Sequence, residues 1–294
     1  MATPRRSSAP RSSRTAIRSS SPARPPAATA TAPLLAREGW DVSLWEARDE
    51  LGGRAGSWEQ DGFRFDTGPS WYLMPEVFDH FFRLLGTTAQ RELDLVPLTP
   101  AYRVYGEPDA AGASPVVDVV SGRGAARALF EDREPGAGAR LDAYLDSARE
   151  AYDLAVDRFL YDTYATGESL RDPALLRRLP TLAPLLARSL EKHVAARFED
   201  PLLRQILGYP AVFLGASPDT APALYHLMSH LDLDEGVLYP RGGFTEVIAA
   251  IARLAEGAGV HLHTNTPVDR IIVESGRARG IRLADGTEHR TDLV

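Results

Sequence analysis

Residues 46–70, EARDELGGRAGSWEQDGFRFDTGPS, contain the strongest indication of the fold class. It follows Trp40 to Trp45, a segment in which apolar residues alternate, so Glu46 is predicted to end a β-strand. At that point of a dinucleotide-binding fold, a carboxylate accepts hydrogen bonds from both hydroxyls of a ribose. The stretch therefore predicts a nucleotide site in an α/β fold.

A glycine-rich loop comes next, with Gly52, Gly53 and Arg54 at its centre. Adjacent glycines allow backbone N–H groups to approach a phosphate, and an arginine adds charge-assisted hydrogen bonds to it. The three residues alone also fit a surface turn with a solvated arginine. Their spacing from the strand that ends at Glu46 favours the phosphate site. Beyond the loop, Gln60-Asp61-Gly62 predicts the turn of a β-hairpin.

The segment upstream of the strand lacks what a nucleotide site needs. A Rossmann unit places a strand and a G-x-G-x-x-G turn about 20 residues before the acidic residue. Residues 19–33 instead read SSSPARPPAATATAP. Residues 1–33 fit a disordered tail, a targeting peptide or a reading-frame error in GC-rich coding DNA. We favour the frame error, and we expect these residues to be irregular in structure.

Composition limits the class of protein. The 294 residues carry a net charge of −7 and no cysteine, which excludes disulfides and cysteine-ligated metals. The first 37 residues hold seven arginines and no acid, so the remainder carries −7 − 7 = −14. An acidic body argues against nucleic-acid binding. The sequence contains no run of 18 apolar residues, so no membrane-spanning helix is predicted.

The pattern along the chain predicts a nucleotide-binding domain interrupted by a helical insertion. We assign residues 34–100 to its first part, residues 101–238 to a mostly helical substrate domain, and residues 239–294 to its second part. The last strand looks unfinished, so we expect the fold to be incomplete at both ends. In the insertion, leucines and arginines near residues 175–188 suit either a core-facing helix with a solvated arginine face or a helix on an anionic membrane.

Three runs carry a resemblance to a known family. They are residues 46–71, the run LRQILGYPAVFLGASP followed by YHLMSHLDLDEGVLYPRGGF, and the run GVHLHTNTPVDRIIVESGRARGIRLADG. Together they resemble the bacterial phytoene desaturases, carotenoid desaturases within the FAD-dependent, amine-oxidase-like flavoproteins. The similarity covers roughly residues 34–294. It implies a Rossmann-like FAD-binding domain of that superfamily's type. The family's N-terminal glycine turn and its C-terminal flavin-binding stretch are missing.

The resemblance also implies roles for single residues. Glu46 binds the adenosine ribose of FAD, and the glycine loop lies along the pyrophosphate. Gly68 lies close to the flavin, and the backbone of Val268 pairs with adenine. Asp172 lies where the family has an acid or base, although a helix-capping aspartate explains it as well.

Two further patterns have open interpretations. The turn Tyr239 to Phe244 contains a glycine pair before a helix, which suits either a ligand or a simple cap. His226 and His230 are four residues apart, the spacing of two metal ligands on a helix, but no third ligand follows. We therefore predict no metal site. His261 and His263 are interpreted in the same way.

The expected activity is desaturation of a long polyene, in which a hydride passes from an allylic C–H bond to flavin. The alternatives are an inactive fragment of such an enzyme, or a related carotenoid ketolase, isomerase or amine oxidase. The expected partner is a lipophilic polyene, with peripheral membrane contact and no nucleic acid. The expected location is the cytoplasm, at the inner face of the membrane. The oligomeric state is left open.

Overall fold

A computed structural model describes residues 15–19, 27–108, 112, 114–161 and 173–294. The chain forms two units. Unit 1 combines residues up to Val96 with Tyr239–Val294, and unit 2 comprises Pro97–Leu238. The sequence analysis assigns the corresponding boundaries to 100/101 and 238/239.

Unit 1 is built on a parallel three-stranded sheet. Strand β2 (Asp41–Trp45) lies between β1 (Thr15–Ser19) and β9 (His261–His263), and both neighbours run parallel to it. Helix α1 (Ala27–Arg37) connects β1 to β2, and helix α9 (Thr245–Gly257) precedes β9. This β–α–β arrangement is the core of a dinucleotide-binding fold.

The expectation that residues 1–33 are irregular is wrong for the part that the structure describes. Thr15–Ser19 pairs with all five residues of β2, and α1 begins at Ala27. The physical reason is the small side chains of α1. Alanine has the highest helix propensity, and Ala32 is buried against Ala255 of α9 and Val42 of β2.

The remaining elements of unit 1 surround this sheet. A second sheet contains β10, β11 and β12, all antiparallel, and a hairpin contains β3 and β4. Their bounds are β3 Ser57–Gln60, β4 Phe63–Asp66, α2 Pro75–Leu84, α3 Ala89–Glu92, β10 Val268–Glu274, β11 Arg277–Leu283 and β12 Glu288–Arg290. The predicted hairpin turn is confirmed: Asp61 and Gly62 both have positive φ, as a two-residue turn of this kind requires.

Unit 2 is mostly helical. Short strands β5 (Leu95–Pro97) and β8 (Leu238–Pro240) lie at the two points where the chain passes between the units. The other elements are β6 Tyr102–Tyr105, β7 Val116–Val119, α4 Arg123–Arg133, α5 Ala137–Ala155, α6 Pro173–Ala187, α7 Leu190–Ala195 and α8 Pro201–Gly208. Single turns of 3₁₀- or π-helix follow at Val156–Leu160, Tyr209–Leu214, Ala223–Leu227 and His230–Glu235.

One hydrophobic core holds unit 2 together. Phe130, Leu141, Phe198 and Leu203, from α4, α5, the α7–α8 loop and α8, are fully buried in it. Asp200 fixes the start of α8, because its Oδ1 accepts hydrogen bonds from the backbone N–H groups of the second and third residues.

A group of polar side chains is buried beside this core. His226 is fully buried, with Nε2 3.0 Å from the Ser147 hydroxyl and Nδ1 2.9 Å from a backbone carbonyl. The ring centroid of His193 is 5.0 Å from that of His226, and its Nε2 has no hydrogen-bond partner among the residues that the structure describes. Burial, with Arg197, His226 and Arg188 nearby, lowers the pKa of His193 to about 3. Burial also lowers the pKa of His226.

These histidines make unit 2 sensitive to acid. The unfolded chain binds protons below the ordinary histidine pKa of 6.5, whereas folded His193 stays neutral down to about pH 3. The contribution of neutral His193 to the free energy of unfolding is therefore complete above pH 6.5, and it is lost as the pH falls towards 3. Asp232 acts in the opposite sense, because burial raises its pKa to about 6 and stability gains as the pH falls through 6.

We expect His193→Gln to flatten the dependence of unfolding free energy on pH between 6.5 and 4. When the pH is lowered from 6.5 to 4, the unfolding free energy of the wild-type chain should fall by about 2 kcal/mol more than that of the variant. Asp232→Asn is the matched control, and it should make the loss on acidification steeper. Urea unfolding at a series of pH values measures both. Equal slopes for wild type and His193→Gln would show that His193 is not kept neutral by folding.

Candidate functional site

Glu46 lies at the carboxyl end of β2, at the edge where parallel strands of such folds bind ligands. The residue is 7% exposed. Its Oε1 accepts a hydrogen bond of 3.0 Å from the backbone N–H of Arg48. Its backbone is joined to the end of β9, because Glu46 N–H donates to His263 O and Thr266 N–H donates to Glu46 O. The carboxylate is therefore held in a fixed position.

The glycine loop that follows is built tightly. Gly52 has φ +108°, and a Cβ at this position would lie 3.0 Å from both the Ala55 carbonyl and Ile248 of α9. Gly53 also has positive φ. Arg48 Nη1 donates to the Gly53 carbonyl at 3.2 Å, which ties the loop to the end of β2. The backbone thus needs glycine here, and the side chain of Arg54 is exposed.

Gly68 contacts the same loop from the other side. A Cβ at Gly68 would lie 1.9 Å from the carbonyl oxygen of Arg54, so no larger residue fits. The neighbouring Thr67 N–H donates to Gly56 O at 3.0 Å. Gly68 therefore joins the end of β4 to the loop.

Val268 begins β10, two residues after the hydrogen bond between Thr266 and Glu46. It packs partly buried beside Trp45, Ile281 and Leu283. The structure therefore places Val268 close in space to the end of β2. Glu46, the glycine loop, Gly68 and Val268 all belong to unit 1.

The glycine pair in the turn before α9 faces the protein's own carboxylates. Gly243 has φ +103°, and the position of a Cβ lies 2.9 Å from Asp66 Oδ1. That oxygen accepts a hydrogen bond of 2.9 Å from Phe244 N–H, at the start of α9. The corresponding position at Gly242 lies against Glu246. Of the two interpretations of this turn, the structure favours the cap. Burial and Asp66 raise the pKa of Tyr239 in the same turn.

Two buried hydroxyls in unit 1 lack hydrogen-bond partners among the described residues. They are the hydroxyl of Tyr72 and Oγ1 of Thr245, the first residue of α9. The ring of Tyr72 stacks on Phe78, 4.5 Å between centroids, and Phe78 meets Phe244 edge-on. Burial, with Asp79 and Glu76 nearby, raises the pKa of Tyr72. Because unpaired buried hydroxyls are costly, both fit a hydrogen bond to a bound molecule or a buried water.

The residues at the end of β2 suit the ribose of a dinucleotide, whereas the connection between β1 and α1 lacks the groups that suit a pyrophosphate. The buried Glu46 and the positive-φ glycine loop fit a ribose and a phosphate. The connection between β1 and α1 is where this fold places its glycine turn. Its sequence, residues 20–26, has no glycine and three prolines, Pro22, Pro25 and Pro26. Proline has no N–H to donate to a phosphate.

Several predicted residues do not join this group. Asp172 lies outside the described residues, so its proposed role stays a prediction. His226 Nε2 lies 3.0 Å from the Ser147 hydroxyl, whereas His230 Nδ1 lies 3.0 Å from Asp234 Oδ2. His263 stacks on Trp45, 3.9 Å between ring centroids. Among the described residues, no three His, Cys, Asp or Glu side chains are placed to hold a metal.

The amphipathic segment predicted near residues 175–188 is α6. Leu182 and Leu185 are buried, whereas Arg177, Arg178 and Leu186 are exposed. The buried leucines agree with a core-facing helix. Within the described chain, no helix combines the length and the apolar character that crossing a bilayer requires.

The sequence alone did not reveal Asp66 and Arg48. Asp66 caps α9 across 178 positions of sequence, a pairing that no local pattern shows. The backbone N–H of Arg48 donates a hydrogen bond to the Glu46 carboxylate, and its guanidinium donates one to the Gly53 carbonyl. Its position two residues after Glu46 was the available signal, since a side-chain acceptor often binds the N–H two residues on.

Comparison with known sequences agrees with this geometry. The family model described as flavin containing amine oxidoreductase matches residues 30–294. A carotenoid 3,4-desaturase of Haloarcula japonica is 40% identical over 237 residues, 81% of this chain and 47% of the relative. A ζ-carotene-forming phytoene desaturase of Myxococcus xanthus is 34% identical, over 90% of this chain and 50% of the relative. The chain spans about half the length of these curated relatives.

Solved structures show the same fold at low identity. A variant of putrescine oxidase has a TM-score of 0.55 and 18% identity, covering 94% of this chain and 55% of that one. A fatty acid isomerase from P. acnes has the same score and identity, with coverages of 96% and 57%. The fold is therefore that of the amine-oxidase-like flavoproteins. The sequence match and the fold together show that this chain belongs to the flavin-containing amine oxidoreductase family.

Proposed function

We propose that this chain is the FAD-binding and substrate-domain part of a carotenoid desaturase, an oxidoreductase that introduces double bonds into a lipophilic polyene. The observation that carries the proposal is the buried carboxylate of Glu46 at the end of β2, followed by a loop that requires glycine. The names of the relatives, a carotenoid 3,4-desaturase and a phytoene desaturase, support the choice of substrate class.

Different residues of unit 1 bind different parts of FAD. Oε1 of Glu46 is held by the Arg48 N–H, so Oε2 is the oxygen that accepts from the ribose hydroxyls. The loop at Gly52 and Gly53 brings the backbone close to the phosphates, and the exposed Arg54 supplies positive charge. The backbone of Val268 pairs with adenine.

When bound, the flavin supplies the capacity to accept a hydride from an allylic carbon of the polyene. The neighbouring carbon must lose a proton for the new double bond to form. Asp172 is our candidate for the residue that receives this proton. Unit 2, which carries that residue, is the part of the chain that binds the polyene.

Incubation of the purified chain with FAD, a phytoene-type polyene in detergent micelles and a benzoquinone as electron acceptor tests the proposal. Each added double bond lengthens the conjugated system, so we expect absorption to move to longer wavelength as quinone is reduced. Reactions without FAD and reactions with Asp172→Asn are the controls. Flavin binding with no change in the polyene would contradict the assigned substrate.

We also propose that the protein is located in the cytoplasm, at the inner face of the membrane, because a carotenoid substrate dissolves in the bilayer. Cell fractionation tests this location. Recovery with the membrane fraction, and release by high pH without detergent, is the expected result for a peripheral protein. Recovery in the soluble fraction alone would contradict it.

A further inference from the structure

A short turn in unit 2 exposes four apolar side chains together. The 3₁₀-helix Tyr209–Leu214 follows α8 directly and ends at Gly215, which has positive φ. The exposed fractions are 40% for Tyr209, 56% for Val212, 46% for Phe213 and 49% for Leu214. Soluble proteins expose single apolar residues routinely, but a contiguous group of this kind indicates a contact surface.

The turn is held rigidly beneath its exposed side. Pro210 and Ala211 are buried, and Ala216 N–H donates to the carbonyl of Ala211. The ring of Tyr209 lies 5.7 Å from the ring of Tyr102 of β6 and also 5.7 Å from the ring of Phe213. The apolar side chains are therefore presented by a fixed backbone, and little conformational entropy is lost when they are buried.

Charged residues are absent from this part of the chain. The 14 residues from Gln205 to Pro218 contain no Asp, Glu, Lys or Arg. Arg204 and Lys192 line a cleft beside the start of the turn, together with the carboxylates of Glu191 and Asp219. The charges of that cleft balance, so electrostatic attraction to an anionic surface is not the main force that this surface offers.

From these observations we infer that the turn Tyr209–Leu214 inserts into the surface of a lipid bilayer. Its size favours a bilayer over a protein partner. A stable protein interface takes roughly 20–30 residues from each side, whereas this surface has four. A few apolar side chains suffice for weak, reversible insertion at the acyl boundary, and the hydroxyl of a tyrosine suits the headgroup level. The inference extends the proposed function, because it gives a polyene a route from the bilayer, but its test does not depend on that function.

A hairpin in unit 1 provides the contrast. Phe63 is 68% exposed, more than any side chain of the turn. Trp58 and Phe65, about half exposed, lie on the same face of the hairpin, whereas Glu59 and Arg64 form an ion pair on its opposite face. If exposure alone caused lipid binding, Phe63 would matter as much as Phe213. If an uncharged apolar turn is required, only Phe213 matters.

The experiment is co-sedimentation of the full chain with phosphatidylcholine vesicles, without flavin and without polyene. We expect the wild-type chain to bind. We expect Phe213→Ser with Leu214→Ser to weaken binding at least about tenfold, or about 1.4 kcal/mol. Phe63→Ser, the matched control, should bind like wild type. Val212→Ser alone should weaken binding severalfold, and it serves if the double variant does not fold. Adding phosphatidylglycerol should raise binding less than twofold.

Three results would overturn the inference. One is no binding of the folded wild-type chain to either kind of vesicle. Another is binding that needs phosphatidylglycerol and is lost in Arg177→Ser with Arg178→Ser, which would assign the contact to α6. The third is a dimer in light scattering that Phe213→Ser abolishes, which would make the turn an interface between copies. Failure of desaturation with intact vesicle binding would contradict the proposed function only.

Discussion

Gly68→Ala should destabilise the chain by about 3 kcal/mol, since a side chain forced into a closed space shifts the backbone around it. The added methyl group would lie 1.9 Å from the carbonyl oxygen of Arg54, so the contact is with backbone and no rotamer change relieves it. The glycine loop must move away from the end of β4. We expect the melting temperature to fall by about 6–12 °C.

The same substitution at Gly257 is the matched control. A Cβ at Gly257 meets nothing within 4 Å, and the residue ends α9. Because alanine is favoured over glycine in helices, Gly257→Ala should be neutral or stabilising by up to about 1 kcal/mol. Differential scanning calorimetry on both variants measures the contrast. A melting temperature for Gly68→Ala within 1 °C of wild type would show that the loop does not need this close contact.

The second large effect concerns the connection between β1 and α1. Replacing Ser20, Pro22 and Pro25 by glycine creates the pattern G-x-G-x-x-G immediately after β1 and before α1. A glycine turn in this place gives N–H donors for a pyrophosphate at a helix N-terminus. Each such bond to a charged group contributes about 1.5–3 kcal/mol. We expect Ser20→Gly/Pro22→Gly/Pro25→Gly to tighten FAD binding about 100-fold.

The control replaces the same three residues by alanine. That variant also removes two of the three prolines in residues 20–26 but permits no close approach of the backbone, so its FAD affinity should change less than threefold. Riboflavin, which has no pyrophosphate, should bind all three proteins equally. Isothermal titration provides the dissociation constants. An equal gain in the alanine variant would attribute the effect to the prolines and not to the glycine turn.

The local features of the fold were predictable from the sequence. The hairpin turn was predicted because Asp61 and Gly62 tolerate the positive φ that a two-residue turn requires. The position of Glu46 followed from the alternation of apolar residues in β2. Both signals lie within a few residues of the feature that they predict, and so one sequence suffices to read them.

The features that depend on distant contacts were not predictable. Thr15–Ser19 gains its strand from pairing with Asp41–Trp45, and α1 packs its small side chains on α9. Composition suggested irregular structure, because alanine and threonine give a weak hydrophobic pattern. Asp66 is a similar case, since the N–H that it binds belongs to Phe244. The local sequence around Asp66 has no sign of that partner.

The most direct test of the central claim is a comparison of FAD with FMN on wild type and Glu46→Gln. FMN lacks the adenosine ribose that Glu46 is proposed to bind. We predict that Glu46→Gln weakens FAD binding at least about tenfold and leaves FMN binding within twofold of wild type, as measured by quenching of flavin fluorescence. ADP should compete with FAD on wild type and fail to compete on the variant. An equal loss of FAD and FMN binding, or no loss of either, would contradict the assignment of this site to the adenosine end of FAD.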